Sequence, residues 1–270
     1  YQYEATHKGT TNNFIIKGRI YLLSPANGVI TDLVTIEGCG YGSSTIVGIG
    51  FGTTQTIATA TGNSNGTFSI TFYVNTQTSG SQTITATAPV YQGEISTTVF
   101  AINGRITLLT PETGYVGSYV TIEGRGYSGA VTIHFGTHLS ITTTTAPNGT
   151  FSTSFMISTQ AYGSRTITAT DGYASDISTF KIIGRIAIIS PSEAKVGEPI
   201  TVEGTGYGTL GDTLQIGFGT SQTITTTTIT NNNGTFSITF LISTQTFGSK
   251  AITVRSTVFA DNPSFTTTAF

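Results

Sequence analysis

The chain has 270 residues, of which only 9% are charged, and its net charge is −2. Because nucleic-acid binding needs a dense basic surface to neutralise phosphates, this composition argues against a nucleic-acid partner. The 33 glycines and the absence of tryptophan favour strands and turns over helices, and no run of about 20 apolar residues is present to span a membrane. We therefore expect an all-β protein without a membrane span.

The first seventeen residues resemble the end of a domain placed before the first repeat. The phrase NFIIKGRI, which begins at residue 13, returns as VFAINGRI at 99–106 and as TFKIIGRI at 179–186. In both later places the phrase joins the end of one repeat to the start of the next. We therefore interpret residues 1–17 as an extension strand and a linker.

This N-terminal segment is predicted to pair with a neighbouring copy of the chain. Its first residues alternate apolar and polar side chains, as a strand with one buried face does. The exposed edge of a sheet in a neighbour offers the backbone groups that such a strand needs. The residues predicted to make the contact between subunits are Tyr1, Tyr3, Ala5, Phe14, Ile15, Ile16 and Phe270.

Three repeats follow the N-terminal segment. Starting each repeat at its Gly-Arg-Ile gives domains over residues 18–103, 104–183 and 184–270. A repeat of this length is too long for a solenoid and suits a small β-sandwich. The sequence therefore predicts three tandem immunoglobulin-like domains after the extension.

Alternating segments within each repeat predict about seven short strands. In the first repeat, Phe68, Ile70 and Phe72 alternate with serine and threonine, so one face of this strand should be buried. An Asn-Gly-Thr turn precedes this strand in every repeat, and Asn-Gly is the strongest short signal for a type I′ hairpin. Later, Asp171-Gly172 indicates the turn of the last hairpin in the second repeat.

A longer phrase carries a resemblance to a known family. SPANGVITDLVTIEGCGY at 24–41 recurs at 110–127 and 190–207, and each copy is followed by an FGT stretch and the Asn-Gly-Thr turn. This pattern resembles the IPT/TIG-type immunoglobulin-like repeats of prokaryotic secreted surface proteins, which thermophilic archaea carry in number. The departures are Thr31-Asp32-Leu33 in the first repeat and Ala194 in the third. The resemblance implies a secreted spacer, adhesin or filament part and no catalytic residues.

The candidates for chemistry are weak. His134 and His138 lie near each other, but no acidic residue or cysteine completes a metal site, and His7 is distant in sequence. Cys39 is the single cysteine, so it forms no internal disulfide. We expect no enzyme, no metal and no cofactor.

One tyrosine after each Gly-x-Gly, at positions 41, 127 and 207, could either plug the end of a sandwich or stack on a sugar ring. The absence of tryptophan favours the plug.

Two further sets of residues recur once in each repeat. An arginine begins the first strand and a glutamate ends the second, which predicts three cross-strand ion pairs: Arg19 with Glu37, Arg105 with Glu123, and Arg185 with Glu203. The Asn-Gly-Thr turns are also acceptors for N-linked glycans, at Asn65, Asn148 and Asn233. We expect the ion pairs to be structural, and intact-mass measurement decides between glycans and simple turns.

Two functions remain. The first is a structural subunit of an extracellular, pilus-like filament that polymerises head to tail, with the N-terminal strand added to the third domain of its neighbour as a donor strand. The alternative is an adhesin or stalk fragment of a cell-surface protein that presents a ligand-binding site. The N-terminal segment separates them, because a stalk has no use for a spare domain ending.

Overall fold

The computed structural model describes residues 14–88, 94–137, 139–259 and 265–267. Within these ranges all regular structure is β-strand, which confirms the predicted all-β class. A search of the described residues for a helix able to cross a membrane finds none.

The described residues form three sandwiches, each with its own hydrophobic core. The buried core residues run from Ile30 to Ile102, from Val116 to Ile182 and from Ile186 to Val254. The boundaries of the compact units differ from those of the sandwiches. Residues 14–75 and 80–102 form one unit, and residues 76–79 form the other unit with the residues from 103 onward. The predicted domain boundaries at 103 and 183 therefore stay a prediction.

The first sandwich packs two sheets face to face, with sheet orders β1-β3-β6 and β2-β8-β7-β4-β5. Its strands are β1 (Arg19–Ser24), β2 (Asn27–Gly28), β3 (Leu33–Cys39), β4 (Ile46–Phe51), β5 (Thr54–Thr61), β6 (Phe68–Tyr73), β7 (Gly80–Ala88) and β8 (Glu94–Ile102). Alternation explains the packing: in β3, Val34 and Ile36 are buried between the sheets, while Thr35 and Glu37 are half-buried on the other face.

The second sandwich repeats this arrangement, with sheet orders β14-β11-β9 and β10-β16-β15-β12-β13. Its strands are β9 (Arg105–Thr110), β10 (Thr113–Gly114), β11 (Tyr119–Arg125), β12 (Ala130–Phe135), β13 (Leu139–Thr144), β14 (Phe151–Met156), β15 (Gly163–Thr170) and β16 (Ser175–Ile182). The predicted turn at Asp171-Gly172 is confirmed, because β15 and β16 pair antiparallel around it and Gly172 has φ +89°.

The third sandwich has sheet orders β17-β18-β21 and β20-β19-β22-β23. Its strands are β17 (Arg185–Ser190), β18 (Pro199–Thr205), β19 (Thr213–Phe218), β20 (Ser221–Thr228), β21 (Phe236–Leu241), β22 (Ile252–Ser256) and β23 (Phe265–Thr267). Only Ile183-Gly184 separates β16 from β17, so the second and third sandwiches are joined by two residues.

The Asn-Gly-Thr turns differ from the predicted hairpins. In the first sandwich this turn connects β5 to β6, and these strands belong to different sheets. Gly66 has φ +71°, but Asn65 is not among the residues with positive φ, so a type I′ turn is excluded. The Asn-Gly phrase therefore predicts the tight turn correctly but not the pairing of the flanking strands. The two strands lie in different sheets because each buries its apolar face in the same core.

Candidate assembly surfaces at the ends of the sandwiches

Each sandwich has one end closed by a tyrosine. Tyr41, Tyr127 and Tyr207 are buried, and each ring meets a core phenylalanine edge-on. The partners are Phe68, Phe151 and Phe236, with ring centroids 5.1, 5.2 and 5.1 Å apart. Burial also raises the pKa of Tyr127 and Tyr207. These rings plug the sandwich and form no exposed platform for a sugar. We call this region, with the Asn-Gly-Thr turn beside it, the tyrosine end.

At the opposite end, the last strand closes the first sandwich. The residues Phe100 and Ile102 of β8 are buried in the core, and the Phe100 ring lies 5.8 Å from that of Phe51. The same strand pairs in parallel with β2, where Ile102 lies opposite Gly28. Backbone pairing and side-chain burial therefore depend on the final three residues of β8.

The second sandwich is closed in the same way. Phe180 and Ile182 of β16 are buried, and the Phe180 ring lies 5.7 Å from that of Phe135. In the parallel pair with β10, Ile182 lies opposite Gly114. A Cβ built on Gly114 would meet the Phe180 ring at 3.1 Å, so a small residue is needed beneath this ring.

The third sandwich differs at this end. Thr267, the last described residue of β23, lies opposite Ile252. Its counterparts are Thr98 opposite Ile84 and Ser178 opposite Ile167. Those two residues stand two positions before Phe100 and Phe180, so the described part of β23 stops short of the closing residues.

A cavity of about 970 Å³ lies at this end of the third sandwich. Its walls include Ala194, Phe218 and Ile242, which correspond to Gly114, Phe135 and Ile157, the residues around the Phe180 ring in the second sandwich. Val196 also lines the cavity and is 55% exposed, whereas its counterparts Ile30 and Val116 are 6% and 8% exposed. The open end of the third sandwich, as we call this cavity and its walls, has the chemistry of a site for an apolar strand.

The residues that could fill such a site are exposed at the start of the chain. Phe14, Ile15 and Ile16 are 90%, 76% and 72% exposed. They carry the phrase that closes the other sandwiches, with Phe14 in the place of Phe180 and Ile16 in the place of Ile182. The other predicted contact residues, Tyr1, Tyr3, Ala5 and Phe270, lie outside the described residues.

The residue before the first sandwich is placed like the residue that links the second sandwich to the third. A Cβ on Gly40 would collide with the Lys17 carbonyl group, and a Cβ on Gly206 would lie 2.8 Å from the Ile183 carbonyl oxygen. Both glycines have positive φ, +81° and +72°. Lys17 therefore contacts the tyrosine end of the first sandwich as Ile183 contacts the tyrosine end of the third.

The predicted ion pairs stay a prediction that the observed strand register does not favour. β1 and β3 do pair antiparallel, but a bulge shifts Glu37 opposite Leu22 and puts Arg19 opposite Cys39. The glutamates accept hydrogen bonds from serine hydroxyls instead. These donors are Ser69 to Glu37 at 3.2 Å, Ser152 to Glu123 at 3.2 Å and Ser237 to Glu203 at 3.1 Å.

The glycan acceptors and His134 are not among the residues that line the open end. Asn65, Asn148 and Asn233 are exposed on their turns, and their glycosylation stays a prediction. His134 is held through Nδ1 by the Ser140 hydroxyl at 2.8 Å. Within the described residues, no group of three His, Cys, Asp or Glu is placed to bind a metal, and His7 and His138 lie outside them.

The walls of the open end were missed by the sequence analysis. Val196 belongs to a phrase that is buried in the other repeats, so its sequence gives no sign of exposure. A signal did exist in Ala194, which replaces a glycine that lies beneath a phenylalanine ring in both other repeats. That substitution was noted as a departure from the pattern without a structural reason.

No protein-family model and no curated protein matches the chain, so the IPT/TIG resemblance stays a prediction. Among solved structures, the chain is similar to a tetra-tandem repeat from the extending region of a large adhesion protein, at 15% identity and a TM-score of 0.31, over 94% of this chain and 74% of that one. It is similar to invasin, a bacterial integrin-binding protein, at 15% identity and a TM-score of 0.31, over 93% of this chain and 58% of that one. It is also similar to the N-terminal eight immunoglobulin domains of Down Syndrome Cell Adhesion Molecule, at 15% identity and a TM-score of 0.28, over 95% of this chain and 42% of that one. These values are too low to transfer a function.

Proposed function

We propose that the chain is a structural subunit of an extracellular filament, in which the N-terminal segment of one copy completes the open end of another. One observation supports this most directly. The chain exposes Phe14 and Ile16 at its start and a cavity at its third sandwich, and the same phrase fills the same place inside the other two sandwiches.

The internal sandwiches support a specific geometry for the proposed contact. Phe14 takes the place of Phe180, beside Phe218 and above Ala194, where the alanine methyl group leaves less room than the glycine beneath Phe180. Ile16 lies level with Ala194, as Ile182 lies level with Gly114. The backbone of 193–194 then gains a parallel partner, which it lacks within the described residues.

Energetics favour the apolar part of this contact. Burying a phenylalanine or isoleucine side chain contributes about 1.5–3 kcal/mol each, and added strand pairing aligns the segment. Association costs several kcal/mol of lost freedom, so the burial of both side chains and the added strand pairing must together exceed that cost. With 9% charged residues, copies of the chain also have little charge repulsion to overcome.

The test is to remove the two apolar side chains that enter the cavity. The double variant Phe14→Asp with Ile16→Asp should stay monomeric by sedimentation and form no fibres in negative-stain micrographs, whereas the unaltered chain assembles. The matched control is Ile15→Lys, because the corresponding position of the second sandwich is Lys181. Fibres of unchanged subunit spacing from the double variant would contradict the proposal.

A stalk of a cell-surface adhesin is the second candidate. The two-residue link between β16 and β17 favours it, because closely joined sandwiches make a stiff spacer. In a stalk the open end would be completed by residues that follow in the same polypeptide. Isolated rods, with no effect of the Phe14 and Ile16 substitutions on association, would favour this candidate.

Both candidates imply a secreted protein with glycans accessible at Asn65, Asn148 and Asn233. An intact mass equal to that of the bare polypeptide, measured on native material, would remove the glycans from the proposal.

A further inference from the structure

A loop with a shared phrase leads into the strands β7, β15 and β22. It reads Thr-Gln-x-x-Gly-Ser in all three repeats, and we call it the glutamine loop, over residues 76–81, 159–164 and 244–249. In the second sandwich the Gln160 amide donates to the Phe135 carbonyl group at 3.4 Å, and in the third the Gln245 amide donates to the Phe218 carbonyl group at 2.8 Å. The two loops are therefore anchored on equivalent backbone groups.

The backbone of these two loops is also alike. Gly163 and Gly248 follow the variable pair of residues and have φ +111° and +114°. A basic side chain holds each loop from below: Arg165 donates to the Ala161 carbonyl group at 2.7 Å, and Lys250 donates to the Thr246 hydroxyl at 3.2 Å. The variable pairs, Ala161-Tyr162 and Thr246-Phe247, are thus presented in the same way.

In the second sandwich this pair is docked on the tyrosine end of the third. The Tyr162 amide donates to the Tyr207 carbonyl group at 2.7 Å, and the Tyr162 ring packs 5.1 Å from that of Phe259. A Cβ built on Gly234 would lie 2.7 Å from Ala161 Cα. Both Ala161 and Tyr162 are buried as a result.

A second instance of this contact occurs within the same compact unit. Residues 76–79 belong to that unit, and a Cβ on Gly149 would lie 2.8 Å from Thr78 Cα. Thr78 stands in its loop where Ala161 stands, and Gly149 stands in its Asn-Gly-Thr turn where Gly234 stands. The glutamine loop therefore recognises the glycine of an Asn-Gly-Thr turn twice in this chain.

The third glutamine loop presents its aromatic residue to solvent. Phe247 occupies the position of buried Tyr162, yet it is 105% exposed, and it stands at the rim of the open end. Phe247 and the exposed Val196 line the same cavity, and a contiguous exposed apolar surface of this kind indicates a binding role. The loop has the form of a docking element whose counterpart is a tyrosine end.

We propose that Phe247 and Thr246 dock on the tyrosine end of the first sandwich of a second copy, at Tyr41 and Gly66. This inference rests on the proposed head-to-tail assembly and adds to it a second contact, separate from the strand. The first sandwich offers the required surface, because Gly66 has φ +71° beside the Tyr41 carbonyl group, as Gly234 has φ +68° beside that of Tyr207. Phe247 then repeats between copies the contact that Tyr162 makes within one.

The chain contains a natural probe for this contact, because Cys39 lies two residues before Tyr41. A Thr246→Cys variant, which keeps Phe247, should be joined to Cys39 of a second copy by a short bismaleimide, giving covalent dimers and longer ladders. The calibration variant carries Ala161→Cys and Thr205→Cys with Cys39→Ser, since Thr205 corresponds to Cys39. It should form the same crosslink within one chain.

Two further variants separate this contact from strand addition. Phe247→Ser should raise the concentration needed for assembly by about tenfold or more, as loss of an aromatic anchor does. Phe14→Asp with Ile16→Asp, added to the Thr246→Cys chain, should abolish the crosslink. Assembly that needs Phe14 and Ile16 but gives no Cys39 crosslink overturns the Phe247 contact alone.

The remaining outcomes are also decisive. A Cys39 crosslink that survives the double substitution supports the Phe247 contact and overturns strand addition. A crosslink to a position other than Cys39 overturns the docking site proposed here. A chain that neither crosslinks nor assembles overturns both proposals.

Discussion

The second and third sandwiches share their phrases and their loop anchors, but they differ in the exposure of one apolar position. In the second, Ile182 of the last strand lies opposite Gly114, and Val116 is 8% exposed. In the third, the counterpart of Val116, Val196, is 55% exposed and lines the cavity of the open end. The same position in the phrase is therefore core in one sandwich and surface in the other.

The proposed assembly would make a repeat its own binding partner. The phrase Phe-x-Ile is at once the end of one sandwich and the link to the next, so the copy ahead of the first repeat would fit a third sandwich in the same way. No new binding surface has to be specified by the sequence. Strand addition between copies would reuse contacts that fold the chain.

The largest expected difference in stability is between alanine substitutions of two phenylalanines that occupy the same place in the phrase. Phe180→Ala should destabilise the second sandwich by about 3–5 kcal/mol, because the ring is fully buried against Phe135. Phe14→Ala should change the stability of the monomer by less than about 0.5 kcal/mol, because the ring is exposed. Urea unfolding read from the Ala169 methyl signal measures the first effect.

The measurement belongs below the concentration at which the chain assembles, with the Val254 methyl signal of the third sandwich as internal reference. Equal losses of unfolding free energy from the two substitutions would show that Phe14 is packed in the monomer. The contrast between the buried phrase at Phe180 and the exposed phrase at Phe14 would then be wrong.

A peptide can sharpen the comparison by completing the third sandwich. Residues 10–19, TTNNFIIKGR, added to the Phe14→Asp, Ile16→Asp chain at a hundredfold excess over its dissociation constant, should stabilise that sandwich by about 2.7 kcal/mol. The Val254 signal should shift to higher urea, while the Ala169 signal stays unchanged. A peptide with aspartate at both apolar positions is the control, and equal shifts with both peptides would exclude specific insertion.

The sequence predicted the sandwich architecture but not the wall of the open end. Alternation at Val34 and Ile36 identifies a strand with one buried face, because this signal is local. The exposure of Val196 depends on contacts between residues distant in sequence, and no local pattern records those contacts. The predicted Asn-Gly hairpin was wrong for the same reason. The phrase determines a turn, but it does not determine which sheet the next strand joins.

A smaller difference is expected for an isosteric change on the two valines. Val116→Thr should cost about 1–3 kcal/mol, because it buries a hydroxyl group among apolar neighbours. Val196→Thr should lie within about 0.5 kcal/mol of the unaltered monomer, because water reaches the new hydroxyl group. In assembled copies the Val196→Thr variant should become costly, which sedimentation measures as weaker association.

The smallest expected effect concerns the hairpin turn that precedes the last strand of the second sandwich. Asp171 accepts hydrogen bonds from the amides of Tyr173 at 2.8 Å, Ala174 at 2.6 Å and Ser128 at 2.6 Å, and from the Ser79 hydroxyl at 2.6 Å. Burial alone would raise the pKa of this carboxyl group, but these hydrogen bonds together lower the pKa below its ordinary value. The carboxylate form is therefore the one that stabilises the turn.

Because the folded pKa is lowered, the stabilisation is fully present above the ordinary aspartate value of about 3.9 and is lost as the pH falls through the folded pKa. Asp171→Asn should cost about 1 kcal/mol at pH 7, since its amide group cannot accept all four hydrogen bonds. The difference between the two proteins, read from the Ala169 signal in urea, should be constant from pH 5 to 8 and should shrink at pH 3. The Val254 signal should not respond to this substitution at either pH. A difference that grows on acidification would mean that the turn prefers a protonated Asp171, and that the turn holding β16 in register is stabilised by something other than its carboxylate.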